Sequence, residues 1–222
     1  MEANNQRYTS KEEWANTLSH GVGVLAGLIV GVIFLQKASK SADPWASVCT
    51  VVFLMGMLTS YITSSLYHGC KPGKRKEMLR KFDHAAIYFH IAASYTPFTL
   101  LVLRDSGFWG WGVFTFVWLV AIGGFILSFT RLKEHSNLET FSFIGMGCAI
   151  IVAIKPLIEE LAVMDSMPAF WWLIAGGVSY IVGAIFYSFP RVKYMHFVFH
   201  LFCLGGSACH LTALWQLYPP TL

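Results

Sequence analysis

Charge is scarce in this chain. Only 13% of its 222 residues are Asp, Glu, Lys or Arg, against 55% hydrophobic. A soluble domain carries about twice that charged share, so a water-facing globule is excluded. No CxxC pair occurs among the five cysteines (Cys49, Cys70, Cys148, Cys203, Cys209). That removes the usual thiolate metal knuckle and gives no disulfide framework. The N-terminal stretch MEANNQRYTSKEEW lacks an apolar core ahead of a small-residue cleavage site, so no cleavable signal peptide is expected. Low-complexity segments and soluble repeats are also missing.

What is abundant is apolar length. A membrane span needs about 20 such residues. Seven runs qualify, at roughly 17–36, 45–67, 83–103, 108–129, 138–157, 169–189 and 196–217. The expected fold is an all-α integral membrane protein, a seven-transmembrane helix bundle. Its expected parts are a polar N-terminus over 1–16, the bundle over 17–218 and a tail over 219–222. Short loops punctuated by Asp43-Pro44, Lys71-Pro72-Gly73, Ser106-Gly107, Pro168 and Pro190 make consecutive helices antiparallel neighbours. Pro97, inside the third run, should kink it or free a carbonyl. Gly23, Gly27 and Gly31 form a small-residue stripe for close helix approach, either within the monomer or across a dimer.

Loop charges set the orientation. With the N-terminus in the cytoplasm, twelve basic residues fall inside: Arg7, Lys11, Lys71, Lys74, Arg75, Lys76, Arg80, Lys81, Arg131, Lys133, Arg191 and Lys193. Four fall outside: Lys37, Lys40, Arg104 and Lys155. The C-terminus then lies outside. The net charge of +4 is therefore a topology signal and no sign of nucleic-acid binding. The basic loop 71–81 is expected to lie against anionic headgroups.

Polar residues inside apolar runs are costly without a partner, so they mark function. His196 and His200, four apart, put two rings on one helix face about 5–6 Å apart at Cβ, close enough to share a metal. The orientation brings others to that cytoplasmic depth. His68 and Ser64 end span two, Asp83 and His84 open span three, and Glu13, Asn16 and His20 form one stripe opening span one. His68, His196 and His200 would supply three neutral nitrogens for zinc, leaving a fourth position for water. Imidazole also suits iron and copper. Asp83 could serve as general base, as an orienting partner or as the N-cap of span three. Ser64 could steady the developing oxyanion or bond its own helix. Glu13, Asn16 and His20 are read as satisfying the start of span one. His84 is a weaker ligand candidate, His90 is deeper and could line a cavity, and His210, about 21 Å along the helix from His196, should lie outside the site. His135 is a loop residue. The tryptophans read as an interfacial belt.

The stretches EEWANTLSHG, SSLYH, KFDHAAIYFHIAASYTPF and HFVFHLFCLGGSACH resemble the hemolysin III family, the bacterial branch of the progestin and adipoQ receptor family. The resemblance covers spans one, two, three and seven in family order. It implies a multi-pass protein of the bacterial inner (plasma) membrane. It also implies three histidines that hold zinc near the cytoplasmic side, as in the adiponectin receptors: by matching motifs, His68, His196 and His200, with Ser64 and Asp83 beside the metal. A more distant similarity to alkaline ceramidases implies zinc-dependent hydrolysis of a lipid amide, with a membrane lipid or fatty-acyl substrate held in the bundle and a role in lipid homeostasis. The chain has almost no soluble N-terminal domain, so hormone binding does not carry over. Two other functions stay open on the sequence: a lipid-responsive regulator with structural zinc, and a hemolysin-like pore. The substrate and the oligomeric state stay open as well.

Overall fold

A computed structural model describes residues 8–130, 137–189 and 191–218. Eight α-helices make up most of it: α1 (Ser10–Ala38), α2 (Trp45–Gly69), α3 (Lys74–Pro97), α4 (Phe108–Thr130), α5 (Asn137–Gly147), α6 (Ile154–Val163), α7 (Met167–Tyr187) and α8 (Met195–Gln216). A π-turn (Phe98–Val102) extends α3, and a 3₁₀ segment (Cys148–Ala153) joins α5 to α6. Among the described residues, seven stretches are long and apolar enough to cross a membrane, α5 to α6 counting as one. Among the described residues there is no strand. The chain is an all-helical, multi-pass membrane protein.

Helices α1 to α4 pack in sequence, α7 pairs with α8, and α8 returns to α1. Helix α3 is the centre: 78% of its apolar window is buried, against half or less for every other span. The glycine stripe of α1 works within the monomer. A Cβ on Gly23 would strike Leu204 and Tyr61, and one on Gly27 would strike Leu58 and Met57. The opposite face of α1 shows Leu18, Val22, Leu25, Ile29 and Val32 outward, as a lipid-facing helix must.

Three sequence expectations change. Helix α3 begins at Lys74, nine residues before the expected start, so most of the expected basic loop 71–81 is helix. Gly73, at φ 144°, is its N-cap, which leaves Asp83 inside the helix and removes its capping role. Span five is interrupted, where a continuous helix over 138–157 was expected. Pro97 does perturb its helix: it has no N–H for the usual bond, and the next turn widens to π, with Leu103 N donating to Phe98 O at 3.2 Å. Basic residues collect at the two ends of the bundle as expected, although Arg7, Arg131 and Lys133 lie outside the described residues, as do Pro190, His135 and the tail 219–222.

Candidate metal centre

Helix ends build the site. Thr9 caps α1 in a reciprocal box with Glu12: Thr9 N donates to Glu12 Oε2 at 2.9 Å and Glu12 N to Thr9 Oγ1 at 3.3 Å. The other oxygen of Glu12 accepts from Tyr194 N at 2.9 Å, directly before α8. One carboxylate thereby ties together the starts of α1 and α8. Across from them, Lys76 of α3 closes the end of α2. Its Nζ donates to the carbonyls of Tyr67 (3.0 Å), which also accepts the C-cap N–H of Cys70, and of Cys70 itself (3.1 Å). The same ammonium pairs with Glu13 Oε1 at 2.8 Å.

These supports bring His68, His196 and His200 together. Nε2 of His196 stands 3.0 Å from Nε2 of His68 and 3.1 Å from Nε2 of His200. Each of the three can offer one ligand atom within 4.8 Å of the others. A tetrahedral ion about 2.0–2.1 Å from each nitrogen would set them roughly 3.4 Å apart, so a small adjustment admits one.

The far nitrogens fix the tautomers. Nδ1 of His68 meets Glu13 Oε2 at 2.7 Å. A carboxylate already paired with Lys76 only accepts, so that Nδ1 carries the proton and Nε2 the lone pair. Nδ1 of His200 lies 2.9 Å from Ser19 Oγ and 3.3 Å from the carbonyl of Asn16. Ser19 gives its own proton to that carbonyl at 2.8 Å, so the His200 proton also sits on Nδ1. Two bare lone pairs therefore face the third ring. One proton on His196 can bridge only one of them, whereas a cation satisfies all three. The three histidines can hold a metal ion.

His196, His200, His20, Ser64 and Asp83 line one end of an internal cavity. Ser64 stands beside the buried Asp83 carboxylate. His20 stacks on His200, with ring centroids 3.7 Å apart, and neither of its nitrogens has a partner among the described residues. His84 and His90 line the same cavity. As the sequence implied, His210 is not part of the triad, but it lines the far end of that cavity, which follows α8 inward. Sequence reasoning undervalued Glu13 and missed Ser19. Their signal was the stripe at 13, 16 and 20, one helix turn apart each time and facing the bundle.

The profile of the haemolysin-III-related family matches residues 8–211. The chain belongs to this family. It is 39% identical over 198 residues to Hemolysin-3 of Bacillus cereus, covering 89% of this chain and 88% of the relative. It is 38% identical over 201 residues to a Hemolysin-3 homolog of Bacillus subtilis, covering 90% and 92%. Similarity extends to the human monocyte to macrophage differentiation factor, 29% identical over 222 residues and covering 96% of this chain and 87% of that one. Bacterial relatives of this closeness, together with the seven apolar helices, make the chain a multi-pass bacterial membrane protein. The matched region holds Glu13, Ser19, Ser64, His68, Asp83, His196 and His200, so the whole cluster lies within what the family shares in length.

Proposed function

We propose that this member of the haemolysin-III-related family is a membrane-embedded, zinc-dependent hydrolase of a lipid amide or ester. One observation carries the reading: three imidazole Nε2 atoms converge at the polar end of an internal cavity whose remaining walls include Ile87, Ile91, Ile144, Ile181 and Phe199. An all-imidazole donor set favours zinc over the hard, oxygen-seeking cations. Zinc bound there would supply Lewis acidity to a substrate carbonyl and lower the pKa of water. The chain's own residues do the rest. Asp83, buried beside the site, takes the proton from water and returns it to the leaving amine or alkoxide. Ser64, beside that carboxylate, gives its single proton to the oxygen on which charge develops. Glu13 and Ser19 hold the rings of His68 and His200 in register. The apolar walls receive the acyl chain, the basic end of the bundle faces the cytoplasm, and residues 71–81 lie along anionic headgroups.

The test has two stages. Elemental analysis of detergent-purified protein should find about one zinc per chain, lost in the triple variant His68→Ala, His196→Ala, His200→Ala. Release of labelled fatty acid from a panel of lipid amides and esters should then fall about 10²–10⁴-fold in Asp83→Asn, with the metal retained. Wild-type activity that survives both sets of substitutions would refute the mechanism.

A regulatory reading is favoured by a different feature. The ligands come from α2 and α8 and lean on α1, so a metal would fasten three helices. Stoichiometric zinc with no turnover on any lipid would support that reading over the enzyme.

A further inference from the structure

Beyond the triad the cavity continues along α8. Positions 196, 200, 203, 207 and 210 recur every three or four residues and share one helix face. Ser207 lies two turns past His200, about 10 Å deeper, and His210 about 15 Å deeper. Around Ser207 the wall becomes polar again. Tyr61 OH donates to Ser207 Oγ at 2.5 Å, Tyr180 OH lies 2.8 Å from the same oxygen, and His90 Nε2 lies 3.4 Å from it. Tyr180 stands between the two deep histidines, its ring 6.1 Å from that of His90 and 5.4 Å from that of His210.

Counting protons shows what this cluster lacks. His210 Nε2 faces the carbonyl of Leu173 at 3.3 Å. A carbonyl only accepts, so the proton is on Nε2 and Nδ1 is a bare acceptor. That Nδ1 is buried and has no partner, and the residue is only 8% exposed. Ser207 Oγ can accept from both tyrosines, Tyr180 having no other acceptor among the described residues, which leaves its single proton for His90 Nε2. In that arrangement the His90 proton sits on Nδ1, for which the described residues supply no hydrogen-bond partner. The inner end of the cavity thus offers one unused acceptor and one unused donor. A plain alkyl chain satisfies neither, and leaving buried polar atoms unpaired is costly. A hydroxyl group both donates and accepts.

We propose that the inner end of the cavity is a second polar subsite, made by His90 and His210, that takes a hydroxyl carried partway along a fatty-acyl chain whose head reaches the histidine triad. The hydroxyl donates to His210 Nδ1 and accepts from His90 Nδ1. Nothing at the triad distinguishes one acyl chain from another, so this pair would set the preference. The subsite rests on the reading that the cavity holds an acyl chain, and the experiment separates the two.

Purified full-length protein in detergent is loaded with radiolabelled stearate, which is then displaced by unlabelled stearate and by monohydroxystearates with the hydroxyl at successive carbons. A mid-chain isomer should compete about three- to ten-fold better than stearate, the gain expected from hydrogen bonds to buried partners. An isomer hydroxylated beside the carboxylate should show no gain. In His210→Phe the preference should vanish while stearate still binds, and His210→Gln, which keeps an acceptor, should retain part of it. If stearate binds and every isomer matches it or falls below it, the pair is served by water and the subsite is overturned alone. If labelled stearate does not bind at all, the acyl-chain reading falls and takes the subsite with it. The wild-type comparison decides the matter even if a variant fails to fold.

Discussion

The ring of His68 is held from behind by Glu13, and that contact sets how firmly the ring can hold an ion. The carboxylate at 2.7 Å fixes the proton on Nδ1 and turns the lone pair of Nε2 toward the other two rings. Lys76 pairs with the other oxygen of Glu13 at 2.8 Å and holds it in place. Glu13→Gln should preserve the hydrogen bond and remove the charge. Zinc affinity, read by chelator competition, should then fall about 10–100-fold while stoichiometry at saturating metal stays at one. Unchanged affinity would reduce Glu13 to a partner of Lys76. The triad itself was legible in the sequence because loop charges alone put positions 68, 196 and 200 at one depth. Ser19 was passed over although it adjoins the stripe at 13, 16 and 20, because a serine in a membrane helix ordinarily bonds its own backbone, as this one also does with the carbonyl of Asn16. The reach of the cavity to His210 was not legible either, because distance along a helix does not show how far a cavity extends.

At the scale of helices, the informative feature is the break in span five. Backbone groups freed inside a membrane must be satisfied by protein. Tyr95, from the central helix α3, does this. Its hydroxyl donates toward the carbonyls of Met146 (2.9 Å) and Gly147 (2.7 Å) and accepts from Ile150 N at 3.0 Å. Those contacts fall where α5 gives way to the 3₁₀ segment. Tyr95→Phe keeps the ring and strands the backbone groups. The expected cost is about 1–3 kcal/mol, measured as a lower thermal midpoint in detergent. A midpoint equal to wild type would mean that the backbone re-forms a continuous helix there. The sequence showed that a fifth span exists, but not its interruption or its continuation to Val163. Gly145 and Gly147 are ordinary in a membrane helix, and the break depends on a tyrosine fifty residues away. Pro97 was readable because a missing N–H acts on its own helix, with no distant partner required.

Across the whole molecule, basic residues mark one end of the bundle, and that end holds the triad. Lys11, Lys71, Lys74, Arg75, Lys76, Arg80, Lys81, Arg191 and Lys193 lie there; Lys37, Lys40, Arg104 and Lys155 lie at the other. By the positive-inside rule the triad end should be cytoplasmic. With the five native cysteines replaced, Lys155→Cys should react with a membrane-impermeant maleimide in intact cells, and Lys74→Cys only after permeabilisation; the reverse pattern would turn the site outward. The same end is where metal and fold are coupled. Glu12 and Glu13 of α1, His68 of α2, Lys76 of α3 and the start of α8 are joined through side chains, and the three Nε2 atoms stand at the centre of that network. An ion that binds only the folded bundle stabilises it by mass action, about 4 kcal/mol at a thousandfold excess over its dissociation constant. For a chain of this length that is a shift of roughly ten degrees. Stripping the metal with a chelator should lower the melting midpoint by that order, and adding zinc should restore it. The triple variant His68→Ala, His196→Ala, His200→Ala should melt low and respond to neither treatment. If wild type and variant respond alike, the convergence of the three rings serves packing alone, because a ligand that does not distinguish folded from unfolded chain cannot shift the equilibrium between them.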